Sequence, residues 1–239
     1  MSTFLKRLKD ELQSLKGVMY HRFFVSAKVE RSIVDEFHRL YYDSHILART
    51  RGTTLWLGIP VAKCPLDLWV YQEIIYEVRP DIIIESGTWC GGTALFLASI
   101  CDLVGNGKIV SIDIEDKEGR PKHERIEYIL GSSTSAATVE KVKELIKNKD
   151  IVIVILDSDH QKEHVLSELN VYSRFVRKGG YIIVEDTNIN GHPVASDFGP
   201  GPMEAVGEFC RESGDFAVDR TRHKFYLTFN PNGYLRRVR

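Results

Sequence analysis

The sequence predicts an α/β fold, a doubly wound and mostly parallel seven-stranded sheet preceded by a helical N-terminal extension. Three observations carry this. From residue 81 onward, apolar strand-like runs alternate with helix-like segments, which is the pattern of βαβ units. The runs are continuously apolar, as in Ile151-Val152-Ile153-Val154-Ile155-Leu156, so both sheet faces are covered and the strands are parallel. A glycine-rich turn holding Gly87, Gly91 and Gly92 separates the first run from its helix, a construction that offers a helix N-terminus to a ligand.

In chain order, residues 1–60 read as a helical extension rich in aromatics (Phe23, Phe24, Phe37, Tyr41, Tyr42), without a strand pattern. Its expected role is to cover substrate or to join copies of the chain into a homo-oligomer, with residues 61–239 forming the sheet domain. A helix is expected over 67–78, with Leu68, Tyr71, Ile75 and Val78 on one face and Pro65 and Pro80 as punctuation. Strands are expected at 81–85, 108–113, 125–130, 151–157 and 181–185. Helices are expected at 93–101, 135–147 and 161–176, the last closed by Lys178-Gly179-Gly180. Segments 216–219 and 224–229 read as a terminal strand pair joined by a short turn, and the basic run 234–239 as a solvated tail.

Composition narrows the function classes. The 239 residues carry a formal net charge of −1, which gives no global electrostatic reason to expect nucleic acid. Cys64, Cys90, Cys101 and Cys210 lack C-x-x-C spacing and disulfide density, so reduced thiols in a cytoplasmic protein are the simplest account. The first twelve residues alternate charge with apolar positions and lack a signal-peptide core. No apolar run approaches the roughly 20 residues that cross a bilayer.

Ligands of open α/β sheets bind where strands end at their carboxyl side. The first strand ends in Glu85-Ser86-Gly87-Thr88-Trp89-Cys90-Gly91-Gly92-Thr93, and its spacing departs from the dinucleotide fingerprint G-x-G-x-x-G. This E-x-G-x-x-x-G form resembles the first motif of class I S-adenosylmethionine-dependent methyltransferases. The resemblance implies S-adenosylmethionine as cofactor, S-adenosylhomocysteine as product, and a Rossmann-like sheet whose terminal strand pair places one strand antiparallel. On it, Glu85 receives the ammonium of the methionine part, Gly87 admits the cofactor to the backbone, and Trp89 and Thr93 flank the pocket. Asp113 closes the second strand and is the expected acceptor for ribose hydroxyls, with Glu115 in reserve. Ser132 and Ser133 close the third strand, either edging the adenine or serving as turn residues.

The fourth strand ends in Asp157-Ser158-Asp159-His160 and the fifth in Glu185-Asp186. Adjacent strand ends bring Asp157, Glu185 and Asp186 together. Crowded carboxylates repel unless a cation joins them, and oxygen ligands favour Mg²⁺, with Mn²⁺ or Ca²⁺ as alternatives, over zinc; the alternative is that they are surface acids solvated at loop starts. His160 follows Asp157 by three residues and is suited to act as a general base at neutral pH. The alternative for it is a polar residue at a helix start.

These strand ends, with Trp56-Leu57-Gly58 and Lys63-Cys64-Pro65-Leu66-Asp67-Leu68-Trp69-Val70-Tyr71-Gln72-Glu73, resemble the cephalosporin hydroxylase and rhamnosyl O-methyltransferase family from about residue 40 onward. Macrolide-sugar O-methyltransferases and, more distantly, catechol O-methyltransferase are its relatives. The resemblance implies that Asp157 holds Mg²⁺, that His160 is the base, and that Lys63 lies near the methionine end of the cofactor. The catechol enzyme has lysine where this chain has His160, and acid plus amide in place of Glu185-Asp186, which changes the base and keeps the metal.

The expected reaction is transfer of a methyl group from S-adenosylmethionine to a hydroxyl of a small molecule: a sugar, a glycolipid head or a natural-product scaffold. A non-haem iron oxygenase needs two histidines beside a carboxylate, and only His160 is near these acids. Two rivals remain, an NAD-dependent oxidoreductase on the same fold and a non-catalytic cofactor-binding or assembly protein. The Gly/Pro-rich stretch 191–202 reads as a loop over the acceptor or as a plain connector.

Overall fold

The structure is a computed structural model that describes residues 9–19, 25–46, 49 and 52–239. Phe23 and Phe24 of the aromatic N-terminal stretch lie outside the described residues. Contacts divide the chain into two units, the first 41 residues and Tyr42–Arg239. In the first, residues 9–19 are helical (α1), and α2, Ala27–Ile46, continues from it into the second unit. Among the residues of α2 in the first unit, Val29, Ile33, Phe37 and Leu40 are exposed.

The division falls ahead of the break expected after residue 60. A short antiparallel hairpin, β1 (Leu55–Trp56) with β2 (Ile59–Pro60), interrupts the region read as purely helical, and it is anchored on the sheet unit. Trp56 packs edge-on against Phe96 at 4.9 Å and donates its indole N–H to Ser99 Oγ at 3.1 Å.

In the second unit α3 (Pro65–Val78) opens on proline at its first turn and stops at Arg79, a left-handed residue ahead of Pro80. Then follow β3 (Ile82–Ser86), α4 (Gly92–Val104), β4 (Lys108–Asp113), β5 (Ile126–Leu130), α5 (Ala136–Leu145), β6 (Val152–Leu156), α6 (Lys162–Tyr172), β7 (Tyr181–Val184), α7 (Pro202–Ser213), β8 (Phe216–Val218) and β9 (Tyr234–Arg237). Helix α6 ends before its expected glycine stop, tightening into a 3₁₀ turn over Ser173–Phe175.

The sheet order is β5-β4-β3-β6-β7-β9-β8. The pairs among β3 to β7 are parallel, and β9 runs antiparallel to both neighbours. The expected strand at 224–229 does not form. The segment 234–239, read as a solvated tail, supplies β9 through Tyr234 and Leu235, both fully buried. Its apolar pair fills the slot between β7 and β8, and its arginines pass the edge: Arg237 donates to the Ser173 and Val176 carbonyls.

Alternate residues of each strand serve opposite layers. Ile82, Ile84, Val152 and Val154 pack with residues of α5, α6 and α7, whereas Ile83, Ile109, Ile153 and Ile155 pack with residues of α3 and α4. Each such side chain removed from water contributes about 1.5–3 kcal/mol. This alternation decides where the polar residues at the strand ends go.

Candidate active site

Gly87 leaves β3 in the left-handed region (φ 88°), and a Cβ there would lie 1.9 Å from the Asp157 carbonyl oxygen. Its missing side chain therefore admits the neighbouring strand end, and Gly87 also lines the cavity, where its expected cofactor role places it. Gly92 begins α4 under the same constraint, its Cβ position lying 2.1 Å from the Pro60 carbonyl oxygen. Trp89 also has positive φ, 47°, and its N–H donates to Asp113 Oδ2 at 2.8 Å. Arg120 closes the loop by donating to the Trp89 carbonyl and to Asp113.

At the carboxyl end of the sheet lies a cavity of about 610 Å³, within the range of small-molecule sites. Of the residues expected to hold cofactor, Gly87, Trp89, Asp113, Ser132, Ser133 and Asp157 line it, as does Glu115. Lys63, Glu85 and Thr93 do not. All three are buried; Thr93 sits inside the first turn of α4.

Glu85 points to the α3/α4 face, where its Oε2 accepts from Ser111 Oγ at 2.6 Å. Its Oε1 is buried with no hydrogen-bond partner among the described residues. Burial pushes this carboxyl up to about 7, against the Ser111 hydrogen bond and the Lys63 charge.

The expected trio of acids comes together only in part. The donor atoms of Asp157, His160 and Asp186 lie within 4.8 Å of one another on the cavity wall, and His160 Nε2 is 3.2 Å from Asp186 Oδ2. Asp186 has positive φ, 53°, and its N–H donates to Asn230 Oδ1 at 3.1 Å. Burial raises its carboxyl to about 6; Asp157 and Glu185 push the same way and His160 opposes.

Glu185 lies outside this cluster. By strand alternation it turns to the opposite face, where it accepts from the Tyr71 hydroxyl and meets Lys63 Nζ at 2.8 Å. The same ammonium is 2.7 Å from Asp157 Oδ2, so Lys63 bridges the two strand ends. Burial works against its charge, but the two carboxylates together hold its pKa above the ordinary lysine value. Behind it, Asp67 accepts from Thr228 Oγ1, the Tyr234 hydroxyl and the Phe229 N–H, and burial raises it to about 7.

The two carboxylates match a divalent cation, and the imidazole stands beside them in an acid-rich cavity. The same excess of acids matches the positive charge of S-adenosylmethionine.

Sequence reasoning missed several residues of the cavity wall. His164, read as a surface residue, lines it and meets Ser133 Oγ at 3.3 Å and Ser158 Oγ at 3.1 Å. The buried Glu168 accepts from Ser158 and raises the His164 pKa through a hydrogen bond. Tyr42, His45 and Phe229 line the opposite side; only the aromatic count near Tyr42 hinted at them. From the stretch 191–202, Phe198 reaches the cavity, and Glu204 pins the stretch by accepting from His192 at 2.8 Å, Asn190 at 3.1 Å and the Gly201 N–H at 2.7 Å.

Residues 49–238 match the family profile described as rhamnosyl O-methyltransferase/CmcI. A rhamnosyl O-methyltransferase of Mycobacterium leprae (strain TN) is 37% identical over 238 residues, which cover 97% of this chain and 99% of that protein. A CmcI apo-structure superposes with a TM-score of 0.61 at 23% identity, covering 77% of this chain and 76% of that one. A CmcI structure with Mg and SAM gives 0.59 at 22% identity, with the same coverage. At those identities the two structures show a shared fold, and the relative's near-complete coverage shows more: the chain belongs to the rhamnosyl O-methyltransferase/CmcI family.

Proposed function

We propose that the protein is an S-adenosylmethionine-dependent O-methyltransferase that uses Mg²⁺ and methylates a hydroxyl of a sugar carried by a small molecule. The observation that carries this reading is the convergence of Asp157, His160 and Asp186 within 4.8 Å on a cavity wall shared with the glycine loop. Its family membership and the name of its Mycobacterium leprae relative support the same chemistry.

Asp157 and Asp186 are the residues that hold the metal. When bound, a divalent ion orients an acceptor hydroxyl and makes it more acidic. His160 Nε2, beside Asp186, takes the hydroxyl proton. Lys63 and Glu185 keep Asp157 aimed from behind. Asp113, with Glu115 next to it, accepts from the ribose; Ser132 and Ser133 edge the adenine; and Trp89 shapes the loop. The attacking oxygen must lie in line with the methyl group, so positioning governs the rate.

The test is transfer of labelled methyl from S-adenosylmethionine to p-nitrophenyl α-L-rhamnopyranoside and other glycosides carrying adjacent hydroxyls, with Mg²⁺ and with EDTA. Mg²⁺-stimulated labelling is expected. Tight NAD binding without S-adenosylmethionine binding would overturn the reading.

The reading extends to setting and assembly. All four cysteines are free thiols, which supports a cytoplasmic location, and no described helix is long and apolar enough to cross a membrane. The exposed apolar residues on α2 support self-association into a homo-oligomer, which light scattering on the purified chain checks.

A further inference from the structure

Once the glycine-loop side of the cavity is assigned to cofactor, an aromatic side remains unassigned. Phe229 sits there almost fully buried, 3% exposed, and its backbone is fixed at both ends. Its N–H donates to the buried Asp67 at 2.8 Å, and its carbonyl accepts from Asn188 N at 3.1 Å. The next residue, Asn230, holds the Asp186 N–H. Phe229 is therefore locked to the strand end that carries Asp186.

Two side chains from the end of α2, one helical turn apart, stand edge-on to its ring: Tyr42 at 5.8 Å and 69°, His45 at 5.7 Å and 77°. All three line the cavity with His160 and Asp186. Phe229 offers neither hydrogen-bond donor nor acceptor in its side chain, so the centre of this wall is apolar. Rigid rings beside a proton acceptor and a carboxylate suit a molecule that is apolar on one face and hydroxylated on its edge.

We propose that Phe229, Tyr42 and His45 form the acceptor platform. They take the C–H face of a pyranose ring and turn its adjacent hydroxyls towards Asp186 and His160. The proposal rests on the methyltransferase reading and deepens it by naming the residues that select the acceptor. These are positioning residues; the chemistry stays with the acids and His160.

The experiment measures binding of p-nitrophenyl α-L-rhamnopyranoside to full-length protein loaded with S-adenosylhomocysteine and Mg²⁺, together with KM and kcat for the same glycoside. Phe229→Leu and Tyr42→Ala are each expected to weaken glycoside binding and raise KM by about threefold to tenfold. S-adenosylhomocysteine affinity is expected to stay within about twofold, which also reports that the variants are folded. Tyr42→Phe restores most of the loss, because the ring face and not the hydroxyl acts. A change below twofold in both variants, equal damage from Tyr42→Phe and Tyr42→Ala, or no glycoside binding by loaded wild-type protein overturns the platform. Failure of wild-type protein to bind S-adenosylhomocysteine overturns the methyltransferase reading instead.

Discussion

Two acid clusters sit at the carboxyl end of the sheet, one on each face, and they meet at Asp157. The cavity-facing cluster of Asp157, His160 and Asp186 is partly exposed, with converging oxygen and nitrogen atoms. The cluster on the α3 face joins Lys63, Glu185, Tyr71 and Asp67 in a buried network with its own ammonium. Glu185 and Asp186 are consecutive residues, yet one faces the interior and the other the cavity. On the proposed reading the first cluster binds a cation and the second aims the first. Substitutions should therefore separate activity from stability according to the face they touch.

The largest effect is expected at the shared residue. Asp157→Ala should lower kcat/KM by about 10³-fold, since it removes charge stabilisation where the acceptor oxygen develops. Initial rates with labelled S-adenosylmethionine check this, and a fall of less than tenfold breaks the comparison. Lys63→Ala should destabilise the fold by about 3 kcal/mol, because it leaves the buried Glu185 and the partly exposed Asp157 without their cation. Urea unfolding measures that loss, and adding Glu185→Gln should recover part of it. His160→Ala should lower kcat by about 10²-fold while moving stability by less than about 0.5 kcal/mol.

The buried network also predicts a pH response. Glu85 and Asp67 have folded-state pKa values near 7, above the value of about 4 expected for unfolded carboxyls. Protonated in the folded state, they contribute stability that is fully present below about pH 4 and lost as pH rises towards 7. Their contribution to the unfolding free energy of ligand-free protein should fall across that window by up to about 4 kcal/mol for each group. Glu85→Gln should flatten the slope. The smallest change is expected at Glu204→Ala, which releases the pinned stretch 190–201 from the start of α7 at about 1 kcal/mol.

Much of the site was legible because strand ends are marked by chemistry. An apolar run that stops at Asp157, or at Glu185-Asp186, locates a cavity wall from sequence alone, and spacing put His160 beside it. The division of Glu185 from Asp186 was also present in the period-two alternation, but grouping acids by proximity in sequence overrode it. Lys63 was not legible as a bridge, since its partners lie on β6 and β7. Strand β9 was hidden by its arginines: only Tyr234 and Leu235 enter the core, too short a pair to outweigh a basic run. The segment 224–229 has strand-like residues, yet Asp67 captures Phe229 N–H and Thr228 instead of a sheet partner. Phe229 and His164 reach the cavity through long-range packing that no local pattern encodes.

The contact between Gly87 and the Asp157 carbonyl has a consequence for how such enzymes diversify. With 1.9 Å available where a Cβ would go, the cofactor loop and the metal-binding strand end cannot change independently. A loop redesigned for a dinucleotide would displace Asp157 unless it kept glycine at this position. Gly87 and Asp157 are thus tied to each other by a backbone contact. The proposed acceptor wall comes from α2 and the segment before β9, so substitutions there change what is methylated without moving Gly87 or Asp157.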